Sequence, residues 1–264
     1  MNYYWTRCLP LLGLLFASAV TADTQLLIQQ EGVGAPQPIW IQAGKVRVQP
    51  AEQSGYVLFD ANRQLLTQVD DANRSYATLD QKMLKTFAQN FSSIKQALSK
   101  QLDQLPAEQR VQLQALMQQS SLSQLPDTEK TPPLSFKKTN VQRQIKGKNC
   151  TVTEGWHGAD KMVEFCLLDL NAAHVTPQDY QTLKAFLAFA QSATSEMMAG
   201  QDWAMDLAWM EQPSSFPIQM LQFNKQHVVK RSVTVELINK SLDAALFQVP
   251  NHYQYHALDF SAEK

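Results

Sequence analysis

Two groups of side chains in this sequence have the types and spacing to do chemistry: a cysteine pair and a methionine–tryptophan cluster. Cys150 and Cys166 each lie eight residues from Gly158. Residues 151–156 and 162–168 alternate as strands do, and His157-Gly158-Ala159-Asp160 supplies turn residues between them. A hairpin turning there sets the thiols opposite one another, so the spacing predicts a disulfide made in an oxidising compartment. A metal site using both thiolates with His157 or His174 is the competing chemistry. No close C-x-x-C or H-x-x-x-H pair supports it.

The second group is the run 197–210, MMAGQDWAMDLAWM, which gathers Met197, Met198, Met205 and Met210 with Trp203 and Trp209. Soft thioethers in an oxidising compartment could hold Cu(I). A Met/Trp surface could equally line an adaptable apolar pocket, or simply end an amphipathic helix in the core. Met and Trp fill cores far more often than they bind cofactors. His252 and His256 sit four apart, which shares a helix face but separates them by about 13 Å along a strand. Asp70-Asp71 and Asp202/Asp206 read as turn and helix-surface carboxylates, and Gly32-Val33-Gly34 as a turn. There is no G-x-S-x-G, H-E-x-x-H, P-loop or complete dinucleotide fingerprint. The residues therefore imply no cofactor and no enzyme.

The compartment is set by the first 22 residues. Arg7 precedes the apolar run 9–20, and Val20-Thr21-Ala22 is a small-residue cleavage signature before Asp23. Residues 1–22 are expected to be a signal peptide, cleaved in a periplasmic protein. Its run is too short to span a bilayer, which takes about 20 apolar residues. Removing residues 1–22 from the 264 leaves a chain of 242 with two of the three cysteines. Losing Arg7 takes the net charge from −1 to −2, which argues against a dedicated nucleic-acid binder.

What would position these groups is an α+β fold. Short segments at 26–30, 39–42, 45–48, 56–60, 65–69 and 75–78, separated by turn residues, predict an antiparallel meander. From Asp80, a plausible N-cap, Leu84, Phe87, Phe91, Ile94, Leu98, Leu102 and Leu105 mark a helical stripe. Pro106 ends it, and a second helix runs to about residue 122. Strand character returns at 134–145, with Phe136, Val141 and Ile145 expected inward. Thr176-Pro177 opens another long helix carrying Tyr180, Leu183, Phe186 and Leu187, with Gly200 as its stop. Two or three further strands follow in 217–258, with a turn near Asn224. A curved antiparallel sheet, an open half-barrel, whose concave face is covered by a helical hairpin and one further long helix satisfies this pattern. Residues 23–264 would form a single domain with a helical insertion at about 80–125.

Particular strings in this frame resemble a known family. They are KVRVQ at 45–49, YVLFDANRQLLTQVDDANRSYATLD at 56–80, LDQLPAEQR at 102–110, IKGKNC at 145–150 and LFQVPNHYQYHAL at 246–258. They are similar to a family of uncharacterised secreted bacterial proteins with the half-barrel of the periplasmic lipoprotein carrier LolA and its receptor LolB. The G-x-x-C before the hairpin and the F-x-V-P-x-x-Y near the end are the sharpest pieces. The resemblance implies a cradle for an apolar or amphipathic partner and no catalysis.

The expected function is thus a non-catalytic binding protein for an acyl chain, lipoprotein or protein segment. Trp40, Phe87, Phe91, Phe186, Trp203 and Trp209 are the candidate lining residues. A structural or regulatory envelope protein with a filled cavity is the alternative. Lys137, Lys138, Arg143, Lys146 and Lys148 form a basic stripe that could touch anionic lipid, or be an ordinary solvated strand.

Overall fold

The computed structural model describes residues 23–50, 54–86, 89, 106, 134–197, 209 and 214–258, with side chains of the long helix described to Ser192. Twelve strands form one open, unclosed sheet, antiparallel except at one edge. Six come from the first third of the chain: β1 (Asp23–Gln30), β2 (Gln37–Gln42), β3 (Lys45–Val48), β4 (Gly55–Asp60), β5 (Leu65–Asp70) and β6 (Ser75–Asp80). Each pairs with the next, as their short loops require. The β2–β3 turn has φ of +48° at Ala43 and +79° at Gly44, the left-handed pair that matches strand twist in a two-residue hairpin.

A second meander contains β7 (Ser135–Ile145), β8 (Lys148–His157), β9 (Asp160–Asp169), β10 (Ser215–Phe223) and β11 (Val229–Lys240). The two meanders join where β1 pairs with β11, from Asp23 opposite Lys240 to Gln30 opposite Val233. The chain's first described strand is therefore in mid-sheet. A short strand, β12 (Gln254–Tyr255), pairs parallel with β6 and caps that edge. The other edge is β7.

Among the described residues, two helices interrupt the second meander: α1 (Leu170–Ala173) and α2 (Pro177–Met197). Thr176 caps α2 by accepting from the backbone N–H of Asp179 at 3.0 Å, and Pro177 takes the first position, where no N–H is needed. Asp80 likewise accepts from the N–H of Met83 at 2.7 Å, opening a helical turn at 81–86. The rest of the expected hairpin lies outside the described residues.

Helix α2 covers one sheet face. Phe186 and Phe189 pack on Phe59 with ring centres 5.6 and 5.3 Å apart, and Leu183 and Tyr180 join Ile39, Ile41 and Val46 in the main core. Leu84 is buried in the same core. The opposite face of β4–β6 has its own smaller cluster of Tyr56, Leu58 and Val69, covered by Val249 and Tyr253 from the tail. Both faces must be covered because each presents apolar side chains at alternate positions.

The disulfide is present: Cys150 and Cys166 are bonded, with Cα atoms 5.3 Å apart. They are diagonal rather than directly opposite, because Val152 faces Cys166. The turn is centred between Gly158 and Ala159, and a bulge beside Trp156 shifts the register further. Val141 also departs from expectation. It is 51 % exposed, in a bulge between Lys138 and Gln142, while Phe136 and Ile145 reach the core. The extra residues of the bulge break the period-two alternation.

Candidate functional site

The main core is incompletely filled. A cavity of about 210 Å³ lies between α2 and the central strands. Helix α2 contributes Leu183 and Leu187, and β1 contributes Leu26 and Ile28. Phe165, Met220, Val233 and Val235 come from the second meander, and Trp209 stands beside them. Trp209 is fixed between Tyr180 and Phe216, with ring centres 6.1 and 5.7 Å away. Among the described lining residues, three are polar: Gln37, Gln219 and Arg231. The Arg231 guanidinium donates through Nε to Gln30 Oε1 at 2.9 Å, which anchors it at the end of β11.

An apolar cavity of about 150 Å³ accepts a benzene-sized guest, whereas drug-sized ligands occupy roughly 300–1,000 Å³. This cavity falls between those sizes. It has room for a short apolar group and a few polar side chains to orient what is attached. Among the described residues, its lining holds no cluster of titratable groups of the kind acid–base chemistry needs. Among the described residues, no three His, Cys, Asp or Glu side chains converge as a metal ion would require.

The sequence-derived candidates divide. Trp209 lines the cavity. Phe186 is on the same covered face but packs on Phe59 outside the lining. Trp40 is on the other face: its neighbours Ile39 and Ile41 enter the main core, so alternation turns its indole away. There it meets the Arg47 guanidinium, 5.7 Å from the ring centre. Phe87, Phe91 and Trp203, and with them most of the Met/Trp run, lie outside the described residues.

The strands β10 and β11 supply lining residues that the sequence reading passed over. Their signal was the alternation of Val233, Val235 and Leu237 and the apolar Phe216, Ile218, Met220 and Leu221.

The basic stripe is partly neutralised within the protein. Arg143 pairs with the buried Glu164, and Lys146 pairs with Glu236 on β11. Lys137 and Lys138 remain exposed on the edge strand, and Lys148 is half-buried. The Lys146–Glu236 pair also reports curvature. In a flat sheet β8 and β11 stand three strand spacings apart, about 14 Å.

No family model matches the chain, and no curated protein matches it. Among solved structures, the chain is similar to an uncharacterised conserved protein from Thermus thermophilus. That likeness has a TM-score of 0.39 at 8 % identity over 90 % of this chain and 91 % of that one. It is also similar to PNGF-II, with a TM-score of 0.32 at 10 % identity over 90 % of this chain and 31 % of that one.

Proposed function

We propose that this chain is a non-catalytic periplasmic binding protein, exported by a cleaved signal peptide. Its curved half-barrel sheet, covered by α2, holds the apolar part of an amphipathic ligand. The observation that carries this reading is the cavity of about 210 Å³, apolar on nearly every side and bordered by Arg231. A packed interior leaves few voids larger than a water molecule, so a vacant volume of this size beside an anchored indole is a candidate ligand space. An acyl chain or the apolar side chains of a lipoprotein or protein segment match the lining, and Arg231 suits an anionic head. The exposed Lys137 and Lys138 would let the β7 edge approach anionic lipid.

The second reading is a structural or regulatory envelope protein. It is favoured by the cavity's size, below the usual range for drug-sized ligands. Titration with a medium-chain fatty acid separates the two. A binding protein shows a saturable shift in tryptophan emission that disappears in Trp209→Phe. Unchanged emission at saturating fatty acid, with unchanged thermal stability, leaves the interaction-protein reading.

A further inference from the structure

The cavity has a direction. On β1 and β2 its lining passes from Leu26 and Ile39, directly paired and both buried, to Ile28 and Gln37, the next lining pair, both half-buried. Going the same way along β11, the lining passes from Val235, opposite Ile28, through Val233, opposite Gln30, to the half-buried Arg231. Alternate residues of a strand share a face, so Val235 and Arg231 mark about 13 Å of one wall. The buried end is apolar, and the polar end is the one that solvent reaches.

Among the described lining residues, Arg231 carries the one charge. Its place is set by β1. Gln30 Oε1 accepts from Arg231 Nε at 2.9 Å, and the backbone N–H of Glu31 donates to the carbonyl of Ser232 at 3.0 Å, which keeps the two strand ends together. An arginine has five N–H donors in a rigid planar fork, of which the Gln30 contact engages one. Fixing Nε fixes the plane of that fork, and a carboxylate is the group whose paired oxygens match it. Gln30 is therefore a positioning residue for Arg231.

Volume sets the other dimension. Benzene occupies an apolar cavity of about 150 Å³, and by that measure this space holds roughly eight carbon atoms. Its volume is about 210 Å³. We propose that the cavity selects a medium-chain carboxylate, with an alkyl tail of that size toward Leu26 and Ile39 and the anionic head on Arg231, oriented by Gln30. This rests on the ligand-binding reading above and narrows it, because an acyl chain bound as an ester or amide has no carboxylate to offer. A neutral alcohol of equal length fills the apolar end but leaves the guanidinium without its anion.

The test is calorimetric titration of exported protein, stripped of bound lipid, with hexanoate, octanoate, decanoate and dodecanoate, and with octanol beside octanoate. Affinity should rise about fourfold for each added methylene while the tail still enters the cavity, then level off beyond octanoate. Octanoate should bind about tenfold or more tighter than octanol, the margin expected of a charged hydrogen bond. Arg231→Gln should bring the two ligands to equal affinity, and Gln30→Leu should narrow the gap while leaving octanol binding unchanged. Equal affinity for octanoate and octanol in the wild type overturns the charge selection, and a gain that continues undiminished to dodecanoate overturns the size limit; either leaves the cavity a ligand site. Failure of every ligand to bind overturns the binding-protein reading itself. Should a variant fail to fold, the wild-type comparison of acid with alcohol still decides.

Discussion

The Arg47 guanidinium carbon lies 3.4 Å from the ring centre of Tyr56, and from that stack Arg47 reaches the C-terminal segment. Its Nη1 donates to the carbonyl of Leu246 at 2.9 Å, and Tyr56 donates its hydroxyl to the carbonyl of Gln248 at 3.1 Å. Tyr253 then donates to Asp71 Oδ1 at 2.8 Å. The F-x-V-P-x-x-Y string of the sequence is therefore a strap. Phe247 is buried, and Val249 and Tyr253 cover the smaller core.

Arg47→Lys should loosen this strap, because an ammonium cannot both stack on Tyr56 and hold the carbonyl of Leu246. A loss of about 2 kcal/mol is expected from the cation–π contact and the charged hydrogen bond. Urea denaturation measures it, and limited proteolysis should cut the variant after residue 240 first. An unchanged midpoint with an intact tail would contradict the strap.

The disulfide should contribute about 3 kcal/mol through the short loop that it closes. The sequence separation is 16. Non-reducing intact mass should run two hydrogens below the reduced form. Replacing both cysteines by alanine should lower the urea midpoint without moving the hairpin register. Free thiols in exported protein would refute the bond.

Asp70 gives a pH-dependent prediction. The Asn73 side chain donates to its Oδ2 at 2.7 Å and the Asn73 backbone N–H to its Oδ1 at 3.1 Å, which holds the carboxyl below the ordinary value. A depressed carboxyl stabilises the fold above its unfolded pKa, about 3.9, and the benefit disappears as pH falls through the folded value. Asn73→Ala should therefore lower the melting temperature slightly at pH 7 and leave it unchanged near pH 2. A shift that persists in acid would assign the effect to the loop backbone instead.

Much of this architecture was legible in the sequence because its determinants are local. Ala43-Gly44, His157–Asp160 and Asn224 mark turns by their own residue types, and Thr176-Pro177 and Asp80 cap helical segments as their positions predict. The cysteine spacing gave the bond, although a bulge moved its register. What stayed hidden is non-local or irregular. Trp40 sits between two isoleucines, so hydropathy cannot tell its face. Val141 is apolar in a bulge that no residue type announces. The pairing of β1 with β11 joins positions some two hundred residues apart, and the strap crosses a face the local pattern leaves unassigned. The cavity was not legible either: it arises where Leu183, Leu187 and Trp209 fail to fill the space over β1 and β11.

Filling that space separates a ligand site from a packing defect. Val233→Trp places a large side chain in the lining. If the cavity is only a defect, the change alters stability alone, by about 1–3 kcal/mol where the indole overpacks. If it is a binding site, fatty-acid titration of the folded variant should show lost affinity as well.

The most direct measurement is native mass spectrometry of the wild-type protein purified from its own envelope, beside folded Val233→Trp prepared identically. The account predicts a bound lipid or acylated species on the wild type, released on denaturation and missing from the variant. A wild-type protein that carries no such species, or a species retained equally by Val233→Trp, would contradict the cavity as its binding site.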